Sequence, residues 1–443
     1  MVSLDRTMTT LALPQISYEV GATAATRLVS IYQLSSGAFL VVAGRLNDLF
    51  GLRKMLILGT LVFTLSSLLC ALTASPELLV FVRGVQALGG AAITVAPTSL
   101  IIYSFADSAP RARAISIANA VGWVAQGLGP FVGGSVITLT HGWHRIFLIN
   151  LPIGLLLAFL ASVTIPVASH RVSEGSRNIT DALSLLVVTL LGGYGITGLG
   201  DATTTFLREL PVLTVAGLMA LQFALMDARA DTPFIPFKLF REQSFKRLSI
   251  ASALLGASVY TSYLVYPSYL QIALKYSPLD SAWALLPLSV IPAIIAGFAS
   301  HRIIAFLGLP RANALGLFLI AAGLLTLLRA PIGGNFLIDA LPSMLLVGAG
   351  LGVAPVSLFL TAMEGMPQRS SGAAAGLYTT CYVVGSGLGV TVQTAASSLF
   401  ITYILHSEGH SPQAVIGANQ VALALGALFA LVAIAVAASV SRK

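Results

Sequence analysis

Uninterrupted apolar runs, separated by short polar breaks, set the pattern of this chain. They fall at about 28–46, 54–73, 77–104, 114–139, 144–166, 180–199, 207–227, 247–274, 279–305, 311–330, 335–361, 372–404 and 415–440. A membrane-crossing helix needs about 20 apolar residues, and a barrel strand would alternate apolar with polar, so each run predicts a transmembrane helix. Residues 1–16 form a shorter run that carries Asp5 and Arg6. At 1.5 Å per residue it covers about 24 Å of a ~30 Å core, which predicts a partial first helix, clipped or completed upstream of Met1. Counting it, the pattern predicts fourteen spans in an all-α polytopic membrane protein.

The charged residues orient these spans. With the 44–54 turn placed inside, seventeen Lys and Arg residues lie on that side and five on the other, as the positive-inside rule expects. Arg6 and Arg83 remain, both within spans. The string Val95-Ala96-Pro97-Thr98-Ser99-Leu100 returns as Val353-Ala354-Pro355-Val356-Ser357-Leu358, at an offset of 258. That offset also carries Arg111 onto Arg369, Gly127 onto Gly385 and Gly129 onto Gly387. Repeats in one register predict two parallel-related six-helix bundles. The expected organisation is an N-terminal bundle at 1–166, two inserted helices with an amphipathic linker at 167–246, and a C-terminal bundle at 247–443.

Composition closes off other classes. The chain is 56% hydrophobic and only 9% charged, with a mean hydropathy of +0.91, too apolar for a soluble domain. The net charge of +8 is spread among the breaks, so no nucleic-acid face is expected. Cys70 and Cys381 lie in apolar runs, and neither a disulfide framework nor a metal site is expected. With no His or Cys cluster and no paired carboxylates in the spans, the chain does not read as an enzyme, and no cofactor is implied.

Several strings carry more than hydropathy. The first break reads Gly44-Arg45-Leu46-Asn47-Asp48-Leu49-Phe50-Gly51-Leu52-Arg53-Lys54. Gly44 and Gly51 are expected to let two helices approach, Asp48 to accept from helix-end amides or an Arg, and Arg53 and Lys54 to mark the cytoplasmic face. This string resembles the loop signature between helices 2 and 3 of the major facilitator superfamily. Gly297 to Arg311 holds a decayed echo of it, with Gly308 one residue out of step. In the fifth span, Gly127-Leu128-Gly129-Pro130-Phe131-Val132-Gly133-Gly134 is similar to the superfamily's antiporter signature; a tight packing helix without bearing on direction is the alternative. Arg83-Gly84-Val85-Gln86 in the fourth span resembles the element whose Arg is implicated in proton transfer, with a purely structural ion pair as the alternative.

Leu4-Asp5-Arg6-Thr7 through Leu11-Ala12-Leu13-Pro14 resembles the first-helix signature of the fourteen-span drug:proton antiporter family, in which the Asp faces the central cavity. Burial favours a neutral carboxyl there and a nearby Arg83 the charged one, so Asp5 reads either as a proton carrier or as a member of a local charge pair. Trp143-His144-Arg145-Ile146-Phe147-Leu148-Ile149-Asn150-Leu151-Pro152 is similar to a stretch of the same family, with Trp143 read as an interfacial anchor. Tyr260, Tyr263, Tyr266 and Tyr269 recur every third residue. With Gln86 and Gln271, Tyr260 and Tyr263 are candidate cavity residues for flat amphipathic molecules or cations, though packing explains such a stripe equally well.

The resemblance implies a fungal-type exporter, monomeric and held in the lipid bilayer, that exchanges small amphipathic organic molecules for protons by alternating access. It would sit in the plasma membrane, or alternatively the vacuolar membrane. Asp5 and Arg83 would couple to the proton, and the 44–54 string would lock the cytoplasmic side. Two alternatives stay open: an importer or facilitator of a nutrient or chelated metal in the same fold, and a membrane sensor or scaffold that transports nothing.

Overall fold

The computed structural model describes residues 1–73, 75–104, 108–166, 177–198, 211–212, 214–219, 222, 237–364, 371–401 and 412–440. Among them, every regular element is helical. The chain opens with α1 (Val2–Val20), α2 (Ala22–Phe50), α3 (Leu52–Leu72), α4 (Pro76–Ser104) and α5 (Ser108–Thr140). A 3-10 turn at Trp143–Ile149 leads into α6 (Asn150–Thr164), and α7 (Arg177–Gly198) follows. Next come α8 (Gln243–Ser268), then a span in three pieces, α9 (Pro278–Ala284), α10 (Pro287–Ile294) and α11 (Ser300–Leu307). Pro287 and Pro292 lack the amide hydrogen a continuous helix would use, which accounts for the breaks. The chain closes with α12 (Leu309–Leu327), α13 (Leu341–Met363), α14 (Ser371–Leu399) and α15 (Pro412–Ala438).

Ten helical stretches among the described residues are long and apolar enough to cross a bilayer. Leu65, Leu155, Phe159 and Phe306 point outward, whereas Asp5, Arg83, Gln86 and Asn150 are buried inside. This inversion follows from lipid being as apolar as leucine: only polar groups must find protein partners. The eighth predicted span, 207–227, lies largely outside the described residues, which are helical there at 214–219.

Two expectations about helix ends need correction. The first helix is longer than its apolar run, with 19 residues, or about 28 Å, close to a full bilayer core. Hydropathy falls over this last turn, where Tyr18 and Glu19 border a cavity. The 44–54 string, in turn, is not an extended loop: α2 continues through Phe50, and Gly51 alone, at φ +84°, separates it from α3. A side chain is strained at that φ, so glycine is required. Gly308, at φ +76°, makes the same one-residue turn between α11 and α12, which gives the faint sequence echo a physical basis. Gly44 does not serve close packing, since a Cβ there would meet open space. The side chain of Asp48, like that of Arg45, lies outside the described residues.

Two helices bind the sequence halves together. α5 packs against α1 and also against α9 and α10, while α14 packs against α8 and also against α2. Gly387 admits Leu34 of α2 into the α14 seam, and Gln33 donates to Ser386 Oγ at 2.8 Å across it.

Candidate functional site

Between α1, α4 and the start of α6, polar side chains collect where the surrounding spans are apolar. Asp5 is 1% exposed and Arg83 2%. Arg83 Nη1 donates to Asp5 Oδ2 at 2.7 Å, and Arg83 Nη2 donates to Thr9 Oγ1 at 3.0 Å. Asp5 Oδ1 accepts from Asn150 Nδ2 at 2.7 Å and from Gln86 Nε2 at 3.4 Å. Gln86 also accepts from Arg83 and donates to Ser67 Oγ at 2.7 Å. The guanidinium lies over the Tyr32 ring, 4.5 Å from its centroid, with Phe147 at 5.3 Å.

Local structure explains the convergence. Arg83 and Gln86 are three apart on α4 and share a face. Asn150 is delivered by the 3-10 turn, which ends there as α6 begins. Asp5 and Thr9 are four apart on α1 and so point the same way. Sequence reasoning paired Asp5 with Arg83 but missed Thr9, Ser67, Tyr32 and Asn150. Asn150 stood inside a quoted string, and its amide was the available signal. Gln86 is fully buried in this cluster and borders neither of the two cavities described below.

The chemistry of the cluster is one-sided. Asn150 Nδ2, Gln86 Nε2 and Arg83 Nη1, the three groups bonded to the Asp5 carboxylate, are all donors. The arrangement therefore fits a charged carboxylate, which accepts from all three. Asn150 Oδ1 and the Tyr32 hydroxyl are left without partners beside it.

The remaining predicted residues fall into three places. Gly129 and Gly133 of α5 seat Thr7 and Met8 of α1, whereas Gly127 and Gly134 face Ser289 and Pro278 across the seam between halves. Pro130 is buried within the helix and removes one of its hydrogen bonds. Tyr260 and Tyr263 stack edge to face at 5.6 Å, and Tyr263 accepts from Gln126 of α5. Tyr266 and Tyr269 have wound away to Ser343 and to the Pro331 carbonyl. Arg53 is half-buried and Lys54 exposed in the first turn of α3.

Two cavities lie toward opposite ends. One of about 570 Å³ is lined by Gln15, Tyr18, Glu19, Trp143 and Gln271, at the end away from Arg53 and Lys54; Gln271 donates there to the Leu11 carbonyl at 2.8 Å. Trp143 is no interfacial anchor: it is 1% exposed, stacks on His144 and donates from Nε1 to Glu19 Oε2 at 2.7 Å. The other cavity, about 400 Å³, lies between α8, α13 and α14 and is lined by Leu255, Pro355, Phe359, Tyr378 and Tyr382. Among the described residues no group of three or more His, Cys, Asp and Glu side chains stands where a metal could be held.

Comparison with known proteins places this arrangement. The Major Facilitator Superfamily profile matches residues 1–390. Multidrug resistance protein Stp of Mycobacterium tuberculosis is 29% identical over 424 residues, spanning 94% of this chain and 76% of that one. Puromycin resistance protein pur8 of Streptomyces alboniger is 28% identical over 426 residues, spanning 94% and 83%. Among solved structures, a bacterial homologue of the human lysosomal transporter Spinster, inward-facing and unoccupied, superposes with a TM-score of 0.67 at 18% identity, covering 100% of this chain and 94% of that one, a likeness of fold. With the profile spanning most of its length and relatives of this kind, the chain belongs to the Major Facilitator Superfamily and is a multi-pass membrane transporter.

Proposed function

We propose that the protein exports small amphipathic organic molecules in exchange for protons, as a monomer of the fourteen-span drug:proton antiporter type. The halves 1–166 and 247–443 would rock about the α5 and α14 seams, with 167–246 inserted between them. The observation that carries the reading is the donor-only surrounding of Asp5. In this closed cluster a proton on Asp5 cancels the charge that holds Arg83. Protonation therefore favours a rearranged cluster, and loss of the proton favours the present one, which is what coupling requires. The names of the relatives, multidrug and puromycin resistance proteins, support export of organic molecules. Both come from bacteria and lend nothing to a fungal assignment.

The route follows from the cavities. Gln15 borders the outer cavity, and Asp5 lies ten residues deeper on α1, with fully buried Met8 and Leu11 between them. Opening that plug admits the proton; closing it and separating the ends near Gly51 and Arg53 releases it on the opposite side. In proteoliposomes with a pH gradient, adding substrate should move protons, and Asp5→Asn should abolish that movement while leaving substrate able to exchange down its own gradient. Unchanged proton movement in Asp5→Asn would remove Asp5 from the mechanism.

A further inference from the structure

The coupling cluster uses Asp5 and leaves its neighbour Arg6 unaccounted for. One residue turns an α-helix by about 100°, so Arg6 departs from a different face of α1. Arg6 lies fifteen residues before Gly21, about 22 Å along the rod, and Ser36, at the middle of α2, lies the same distance beyond that turn. The guanidinium thus sits near mid-depth. There a cation is costly unless water or a counter-charge meets it.

Among the described residues no carboxylate meets Arg6. Its Nε is buried without a hydrogen-bond partner, and the one carboxylate in the region, Asp5, is bound by Arg83. Four phenols lie within electrostatic reach of it: Tyr260 and Tyr263 of α8, Tyr32 of α2 and Tyr382 of α14. They come from both sequence halves, so Arg6 stands where the halves face one another. Tyr382 is also on the wall of the 400 Å³ cavity, whose other lining is mostly apolar. The hydroxyls of Tyr32 and, on the cavity wall, Tyr378 are likewise buried without partners and free to donate. The place therefore combines an uncompensated positive charge, surplus donors, aromatic faces and an adjoining apolar space.

We propose that Arg6 is the anion-recognition point of the transported molecule, and that the cargo is an amphipathic organic acid. Its carboxylate meets the Arg6 guanidinium and its flat apolar body lies among the tyrosines and in the cavity beyond Tyr382. Because Arg83 already neutralises Asp5, Arg6 leaves the chamber one positive charge in excess, and amphipathic cations are disfavoured. The inference rests on the exporter reading for calling this molecule cargo; the binding itself does not depend on it.

The test is equilibrium binding to the purified protein in lipid nanodiscs with three matched probes: 2-naphthoate, 2-naphthamide and 2-naphthylmethylammonium. A charge-assisted hydrogen bond corresponds to about a ten- to a hundredfold preference for the carboxylate over the amide, with the ammonium weakest. Arg6→Gln should erase the preference, and Arg6→Lys, which keeps the charge without the planar fork, should retain part of it. Absence of naphthoate binding, equal or tighter binding of the ammonium, or an undiminished preference in Arg6→Gln would each overturn the assignment. Should Arg6→Gln fail to fold, the ranking of probes on the native protein decides alone. Proton-linked flux separates the two readings: export of cations with Arg6 irrelevant sinks the acid site and spares export, whereas Arg6-dependent binding without proton-linked flux does the reverse.

Discussion

Replacing Asp5 by asparagine keeps the volume of the side chain and removes the charge that Arg83 faces at 2.7 Å. Both groups are within 2% of complete burial, so solvent offers the stranded guanidinium little relief. Thr9 and Gln86 still accept from Arg83, but the asparagine amide must turn either its NH2 toward Arg83 or its NH2 toward Asn150, and each choice opposes donors. Breaking one side of a buried pair costs about 3–5 kcal/mol, whereas removing both charges together is often close to neutral. The expected result is a loss of about 3–5 kcal/mol in Asp5→Asn and a similar loss in Arg83→Gln. The double variant should be within about 2 kcal/mol of the native protein, which corresponds to strong positive coupling. Unfolding by sodium dodecyl sulfate titration in mixed micelles measures all three. Additive losses, or single variants as stable as the parent, would refute the claim that the cluster is built around a charged Asp5. The magnitude bears on transport as well. One proton crossing 150 mV supplies about 3.5 kcal/mol, so the work available is comparable to the cost of neutralising Asp5 in this conformation.

Three further outcomes follow from the packing. Gly51→Ala should lose about 1–2 kcal/mol because of its φ of +84°; Gly44→Ala, in open space within a helix, should gain up to about 1 kcal/mol, and the same titration compares them. Gly129→Val should separate α1 from α5, since even a Cβ collides with Thr7 and comes within 2.8 Å of the Leu4 carbonyl; loss of monodisperse protein on size exclusion is the readout, and normal assembly would contradict the seam. Trp143→Phe removes the 2.7 Å bond to Glu19 and should cost about 1.5–3 kcal/mol, as for a hydrogen bond to a charged acceptor; no change in stability would return Trp143 to a passive role.

The charged pair was legible because charges within apolar runs are scarce, and two in one family-like pattern invite pairing. Its neutral partners were not. Ser67, Thr9 and Asn150 are residue types that many spans contain, and only proximity across α1, α3, α4 and the 3-10 turn singles them out. For Gln86, periodicity gives the Arg83 face without saying what that face meets, here Asp5 and Ser67. Hydropathy also stopped short of the end of α1, where exposed Glu19 holds the buried Trp143 indole through a hydrogen bond. At 44–54 the polar composition pointed to a loop, but polar residues at the end of a rod that projects past the bilayer remain compatible with helix. The glycine at its far end carries the turn.

Gly21 and Gly51 each join two long rods with a single residue. The three helices α1, α2 and α3 are thereby connected like the sections of a carpenter's folding rule, with two one-residue joints and little chain between them. A tilt of the first section at Asp5 is therefore passed on through its packing against the second, and through that of the second against the third, toward the distant tip near Arg53.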